Sequence, residues 1–447
     1  MQRLLTLFFA ALVVAAVVIP YTSLAQEQEP AETQAQRIEQ LERRVEGLEQ
    51  KLQQALEALD RQPEIGQPTR PEAAVEELPD EPQKEEAKAV HAKKPKFDIG
   101  GALRFNYALS DFDDDSEARG GDLEFDIFRI DVDGEYENVL ISAQYRWWSY
   151  MDAIHHGWLG YDFTDQLRIQ AGVTQVPFGL LPFASHNYWF GVPYYIGFED
   201  DYDMGIKAVY DSPPWNLQLA FFKNGEWGNP SNLERYSYDV VKDSSNFPGQ
   251  DNEETNQINA RLAYTFKHNS LGSVEVGMSG EYGQLYNSTT DNSGDRWAAA
   301  VHLNGFYGPF NVMLEAARYE FNPENPEGVA DDQILMGAFA EAAPVAAEGT
   351  FYVANVSYDV PVAWGPISLL TFYNDYSILV KDEDDFNDSQ INTLGCLVTA
   401  GPVYTYIDFI SGKNAQFLGG GTEPFGAADD SDDDWHSRFN INVGYYF

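Results

Sequence analysis

Residues 435–447 read WHSRFNINVGYYF, and their alternation decides the fold class. Successive side chains of a strand project to opposite faces. Trp435, Ser437, Phe439, Ile441, Val443, Tyr445 and Phe447 therefore share one face. His436, Arg438, Asn440, Asn442, Gly444 and Tyr446 share the other. The first face is mostly apolar, the second polar, and the strand ends on an aromatic residue. Membrane-spanning strands have this length and alternation. So do strands of a soluble sandwich, and this segment alone leaves both open.

The opposite end of the chain points to export. Arg3 precedes an apolar run over 4–19, followed by Pro20 and the small residues Ser23 and Ala25. A basic start, an apolar core and a small-x-small exit are the marks of a secretory signal, expected here over residues 1–25. The run is short for a permanent helical span, and no Cys near the exit marks a lipoprotein. The net charge of −43 argues against nucleic acid and against bulk electrostatic binding to an anionic surface. Cys396 is the single cysteine, so no internal disulfide can form.

Within residues 26–61, Ile38, Leu41, Val45, Leu48, Leu52, Ala55 and Leu59 step by alternating threes and fours. That spacing is a heptad seam, predicting a short α-helical coiled coil. A helix this short is marginal alone, so the seam implies a partner copy. Residues 62–96 are rich in Pro and Glu and poor in large apolar residues, and read as a linker. Its end carries a small basic patch, His91, Lys93, Lys94 and Lys96.

From residue 97 onward the period changes to two. Strand-like segments recur at 97–109, 122–136, 139–149, 154–163, 167–174, 204–211, 215–223, 256–267, 273–284, 295–307, 310–320, 349–360, 366–376, 391–400, 403–411 and 435–447. They make about sixteen, an even number suited to a single-chain barrel. The connections decide between barrel and sandwich. Every second one is short: 137–138, 164–166, 212–214, 268–272, 308–309, 361–365 and 401–402. Those between are mostly long and polar: 110–121, 175–203, 224–255, 285–294, 321–348, 377–390 and 412–434. Short turns alternating with long outside loops characterise transmembrane barrels, and a sandwich has no reason to keep that parity. The fold class is therefore all-β, a transmembrane antiparallel barrel over 97–447. Aromatic residues near strand ends, among them Trp147, Trp148, Trp158, Tyr210, Trp215, Tyr307, Phe310, Tyr373, Tyr445 and Phe447, are expected to form girdles at the lipid boundary.

A barrel this wide is not filled by its own wall, and charges on the inner face then govern what passes. Arg104, Arg146, Arg168, Lys207, Arg261, Arg296 and Arg438 fall on the polar face of their strands. Arg129 does too if the phase slip at Ile127–Phe128 is a bulge. Avoidance of lipid explains their inward aim but not their grouping. Closure brings the last strand beside the first, so Arg438, Arg104, Arg129 and Arg146 occupy four adjacent strands and form a basic wall. The third outside loop, 175–203, is dense in aromatic and apolar residues, so it is expected to pack inside the barrel as a constriction. Its turn Pro177-Phe178-Gly179 begins it, and its acidic end supplies Glu199, Asp200, Asp201 and Asp203. Those carboxylates either face the basic wall or serve as a cation clamp, since carboxylate oxygens suit Ca2+. The acidic runs 111–117, 381–388 and 429–434 read as solvated loops, with weak divalent-cation binding as the sharper option.

No nucleophile, phosphate-loop or zinc-protease motif is present, and an enzyme is not expected. His155 and His156 are adjacent, so on a regular strand their rings would face opposite sides, a poor metal pair.

With these features, the chain resembles Gram-negative outer-membrane porins. The segment GWLGYDFTDQLRIQAGVTQVPFGLLPFAS, 157–185, resembles the phosphate-selective porin O/P family, in which a strand pair ending at a PFG-like turn leads into the constriction loop. Here that turn runs from Gly172 to Pro177-Phe178-Gly179. The terminal Tyr445 and Phe447 resemble a barrel-closing signal. The resemblance implies a homotrimer in the outer membrane, in contact with lipid and lipopolysaccharide, passing small polar solutes or ions such as phosphate without a cofactor. The family's lysine cluster is missing, so general diffusion is the broader expectation. A structural anchor, tethering the envelope through the coiled coil, is the alternative.

Overall fold

The structure, a computed structural model, describes residues 95–268 and 272–447. The expected signal, coiled coil and all but the end of the linker lie outside the described residues. The strands of the barrel are β1 (Lys96–Ser110), β2 (Asp122–Tyr136), β3 (Val139–Trp147), β4 (Asp152–Asp162), β5 (Leu167–Gln175), β6 (Tyr202–Ser212), β7 (Trp215–Gly225), β9 (Asn252–His268), β10 (Gly272–Asn287), β11 (Asn292–Tyr307), β12 (Phe310–Asn322), β15 (Glu348–Trp364), β16 (Ile367–Lys381), β17 (Ser389–Ala400), β18 (Val403–Lys413) and β19 (His436–Tyr446). They form one closed antiparallel barrel in sequence order. Each matches one of the sixteen segments read from periodicity. Closure is made by β1 on β19, in a register running from Ala102 opposite Tyr446 to Ser110 opposite Arg438.

Alternation sorts the two faces. Outward side chains such as Leu103, Leu123, Leu159, Ile258, Met278, Val301, Leu394 and Phe409 are exposed. The inner face carries the buried polar residues Asn106, Gln144, Gln170, Asn259, Asn355, Asp408, Asn440 and Asn442. This inside-out pattern suits hydrocarbon around it, because a continuous apolar outer face is costly to expose to water, whereas in lipid it is Arg or Lys on that face that costs about 2–4 kcal/mol at the midplane. The barrel therefore spans a membrane. Phe97, Tyr136, Tyr161, Tyr210, Trp215, Tyr307, Phe310, Tyr358, Tyr445 and Phe447 lie exposed at the ends nearest the short turns, where amphipathic rings meet the boundary. Three expected girdle members do not belong there; Trp158 alternates with the outward Leu159 and so faces inward. Tyr373 is buried with its hydroxyl on Asp408, and Trp148 packs edge-on against Phe339 within the lumen. The tight turns use residues at positive φ, Gly308 at 59° and Gly401 at 61°, as two-residue hairpins require.

Three elements were not expected. A short helix, α1 (Asp114–Arg119), forms in the first acidic run; Asp113 caps it by accepting from the Asp115 and Ser116 amides at 3.0 Å. The run is thus partly a helix cap rather than plain solvated loop. A second, α2 (Val192–Tyr195), lies in the third loop. A three-stranded sheet, ordered β14–β13–β8, is built from loop segments β8 (Asp239–Val240), β13 (Gln333–Ala338) and β14 (Glu341–Ala346).

The apolar core lies inside the barrel, not between layers. Val176, Phe178, Tyr194, Tyr195, Ile196 and Phe198 of the third loop pack with Tyr236, Tyr238, Ile334, Met336 and Phe425 of other loops, and with Phe222, Tyr319 and Phe351 of the wall.

Candidate functional site

The four arginines of the wall reach one cavity of about 580 Å³, which Arg104, Arg129, Arg146 and Arg438 all line. Register explains the meeting. Arg129 stands opposite Arg146 across β2 and β3, and Arg104 opposite Gly444 across β1 and β19. The phase slip in β2 is a bulge: Ile127 pairs with Arg104 and Phe125 with Phe105, leaving Asp126 as the extra residue. Asp126 then turns inward and meets Arg104 Nε at 2.8 Å.

Each guanidinium also lies over an aromatic ring. Arg104 sits 5.1 Å from the Tyr188 centroid, Arg129 5.2 Å from Tyr446, Arg146 4.3 Å from Tyr236 and Arg438 4.8 Å from Trp189. Tyr188 and Trp189 belong to the third loop, Tyr236 to the loop between β7 and β9. Such contacts hold a cation in place without neutralising it. Carboxylate pairing is uneven. Arg104 and Arg129 have Asp126 and Asp131, the latter at 3.1 Å. Arg438 reaches Glu124 only at 4.0 Å. Arg146 Nε donates to Gln144 Oε1 at 2.6 Å, and among the described residues no carboxylate lies within 4 Å of it. Four guanidiniums line the cavity against three carboxylates, Glu124, Asp126 and Asp200, a formal excess of one positive charge.

The third loop lies inside the barrel, with polar anchors at both ends. Near its start, the Gly179 amide donates to Ser279 Oγ at 2.9 Å, the Leu180 amide to Glu315 Oε2 at 2.9 Å, and Arg261 Nε to the Gly179 carbonyl at 2.8 Å. Gly179 holds φ +52°, and a Cβ there would collide with the Glu315 carboxylate. Farther along, Asp375 on β16 accepts from the His186 amide (2.6 Å), the Asn187 amide (3.1 Å) and the Asn187 side chain (2.8 Å), while its Oδ1 pairs with His186 Nδ1 at 2.7 Å. Periodicity places Asp375 on the inner face; its partners, 189 residues away for His186, are not visible in sequence.

The acidic end of the loop divides. Asp200 faces the arginine cavity, accepting from Tyr236 Oη at 2.6 Å. Glu199 faces back into its own loop, taking the Ala184 amide and Ser185 hydroxyl at 2.8 Å each. Burial outweighs those two bonds and pushes its carboxyl up to about 8. Asp201 and Asp203 point elsewhere, into a buried cluster with Asp239. Of the four carboxylates read as candidates for the wall, one lines the cavity it shares.

Arg168, Lys207 and Arg261 line a second cavity of about 550 Å³ nearer the short turns. Residues 181–183 form part of the partition: Leu181 and Pro182 line this second cavity, Phe183 the first. Arg168 forks onto Asp162 at 2.7 and 3.0 Å, and Arg261 Nη2 meets Glu275 at 2.6 Å. Arg296 lines neither cavity. It is buried between Glu254 and Glu281, beneath the Phe321 ring.

His155 and His156 do not face opposite sides. A bulge between Gln144 and Tyr145 in the β3–β4 register brings both rings inward, with Nδ1 to Nδ1 at 2.9 Å. The His155 ring lies 4.2 Å from that of Tyr202 and 4.4 Å from that of Tyr236. It is part of the aromatic packing behind Asp200, which a regular alternation could not reveal.

The architecture is similar to that of OmpF of Salmonella typhi, solved in complex with daunomycin. The TM-score is 0.52 at 9% identity, covering 78% of this chain and 97% of that one. The fold is that of an outer-membrane β-barrel. The anion-selective porin of Comamonas acidovorans aligns with a TM-score of 0.49 at 12% identity, over 79% of this barrel chain and 100% of that one. OmpT of Vibrio cholerae, in its trimer form, aligns with 0.49 at 14%, over 79% and 100%. No protein-family model matches the chain, and no curated protein matches it. At these identities the likeness is one of fold.

Proposed function

We propose that this barrel is a porin: a trimeric, water-filled outer-membrane channel for passive diffusion of small polar and charged solutes, with a preference for anions such as phosphate. The observation that carries the reading is the arginine wall. Four guanidiniums on adjacent strands face one cavity, pinned on aromatic rings, and two of them lack a close carboxylate among the described residues. Guanidinium donors match phosphate and carboxylate oxygens in a planar fork. Fixed positive charge beside a narrow aqueous path raises the local concentration of anions and lowers that of cations. The inserted loop supplies the opposite side of the path and limits its width.

The test is the zero-current potential of purified protein in a planar bilayer under a salt gradient. Stepwise conductance, in groups of three, with the sign of anion preference is expected. Replacing Arg146 and Arg438 with Gln should move the potential toward the cation side by several-fold in permeability ratio. Folded, heat-modifiable protein that conducts nothing would overturn the porin reading. Conductance whose sign ignores the double substitution would overturn the role of the wall.

A further inference from the structure

Asp201, at the end of the inserted loop, and Asp203, on β6, meet Asp239 on β8, the strand contributed by the loop between β7 and β9. One carboxylate oxygen from each lies within 4.8 Å of the others, and all three residues are buried. Ca2+ binds six to eight oxygens at about 2.3–2.6 Å, so ligand oxygens across one ion stand up to about 5 Å apart. The spread of the three oxygens matches one coordination shell.

The surroundings are short of positive charge. Arg235 binds Asp239 at 2.5 Å and Glu226 at 3.7 Å. Arg296 binds Glu254 and Glu281. Both guanidiniums are thereby committed, and among the described residues Asp201 and Asp203 enter no ion pair. A second observation points to a missing ligand. Asp201 Oδ1, Asp203 Oδ1 and Glu254 Oε1 are buried without any hydrogen-bond partner. Glu254, 7% exposed, turns that oxygen toward the space over Gly225, where Asp239 Oδ2 also lies. A Cβ on Gly225 would stand 2.7 Å from Asp239 Oδ2 and 3.1 Å from Glu254 Oε1. Glycine keeps that space open. Buried ionised oxygens without a donor or cation are costly, and one divalent ion held by Asp201, Asp203 and Asp239 answers that cost, with Glu254 outside the shell but adjacent to it.

We infer that Asp201, Asp203 and Asp239, with Glu254 beside them, form a buried divalent-cation site selective for Ca2+. It staples the C-terminal end of the constriction loop to β8 and to the barrel wall. Only hard oxygen donors line it, with no imidazole or thiolate in the group, which favours Ca2+ over Zn2+. The site is independent of which solute crosses the barrel.

The full chain, stripped with chelator and folded in detergent, is titrated calorimetrically with CaCl2. One equivalent per chain, together with a rise in the temperature of heat modification, is expected. Asp203→Asn and Asp239→Asn should each weaken binding by roughly tenfold or more, since affinity follows ligand charge. A variant of the exposed run, Asp429→Asn with Asp430→Asn, should retain it. Absence of binding by the stripped wild-type protein overturns the site, and this reading needs no variant to fold. Binding lost in the Asp429/Asp430 variant but kept in D203N would overturn it equally, placing the ion on the surface. If D203N does not fold, D201N, whose side chain is the most exposed of the three, reads the same loss.

Discussion

Glu199 shows what a single buried acid does to the inserted loop. Its carboxyl is pushed up to about 8 by burial, so the packed loop holds a proton that the released loop gives up. The folded value lies above the unpacked one of 4.5. The stabilisation is therefore fully present below about 4.5 and is lost as pH rises through about 8. Single-channel recordings should show more frequent closing and reopening above pH 8 than at pH 6, and Glu199→Gln should remain quiet at both. Equal noise in the two proteins across this range would refute the assignment. Residue identity was readable here only in part. Strand parity sufficed to aim Arg104, Arg146 and Arg438 inward, because lipid penalises the other choice; Arg129 needed the bulge in β2, which falls at Asp126 rather than at Ile127–Phe128. It could not show that Arg296 is sealed between Glu254 and Glu281, since parity gives a side and not a neighbour. It failed outright at His155, where one extra residue turns both imidazoles to one face.

The strands were legible because each repeats a period-two signal over its length, and the short turns fixed their order. The loops carry no such period. That residues 175–203 enter the lumen followed from their apolar content. Their anchors, Asp375 on β16 and Glu315 on β12, depend on contacts well over a hundred residues apart. The β8–β13–β14 sheet was not legible either. Its strands are only 2, 6 and 6 residues long, too short for alternation to stand out. This sheet holds Phe339, at the tip between β13 and β14, against the chamber beside Tyr236. Replacing residues 333–346 with a short Gly-Ser link should free both loops and raise single-channel conductance by about half or more, as narrowing side chains leave the path. An unchanged conductance would show that the sheet stands clear of the permeation route.

At the scale of the molecule, Phe447 extends the seam that closes the barrel. The Phe447 amide donates to the Gly101 carbonyl at 3.1 Å, and the Gly101 amide to the Phe447 carbonyl at 2.9 Å. The ring packs where a side chain at Gly101 would lie, 2.7 Å from its Cζ. Deleting Phe447 removes both bonds, roughly 1–3 kcal/mol in total. The fraction of heat-modifiable, folded barrel should fall markedly in a refolding assay, and Gly101→Ala, whose Cβ would collide with the Arg129 carbonyl as well as the Phe447 ring, should show a defect at least as severe. Folding at wild-type yield without Phe447 would show that the seam closes by the inner residues of β1 and β19 alone.

The partition at residues 181–183 separates two chambers of nearly equal size but unlike character. On the loop side the guanidiniums rest on rings; on the turn side Arg168 and Arg261 are already engaged by Asp162 and Glu275. For an anion crossing the proposed channel these are a compartment of four ring-held guanidiniums and one in which only Lys207, bound to the Gln175 carbonyl, is without a carboxylate partner among the described residues. At equilibrium the order of the two is irrelevant. Under flow it is not: traffic arriving from the loop side queues in the retentive compartment, while traffic from the turn side meets it last. Under the proposed channel, flux should saturate at a lower solute concentration in one direction than in the other.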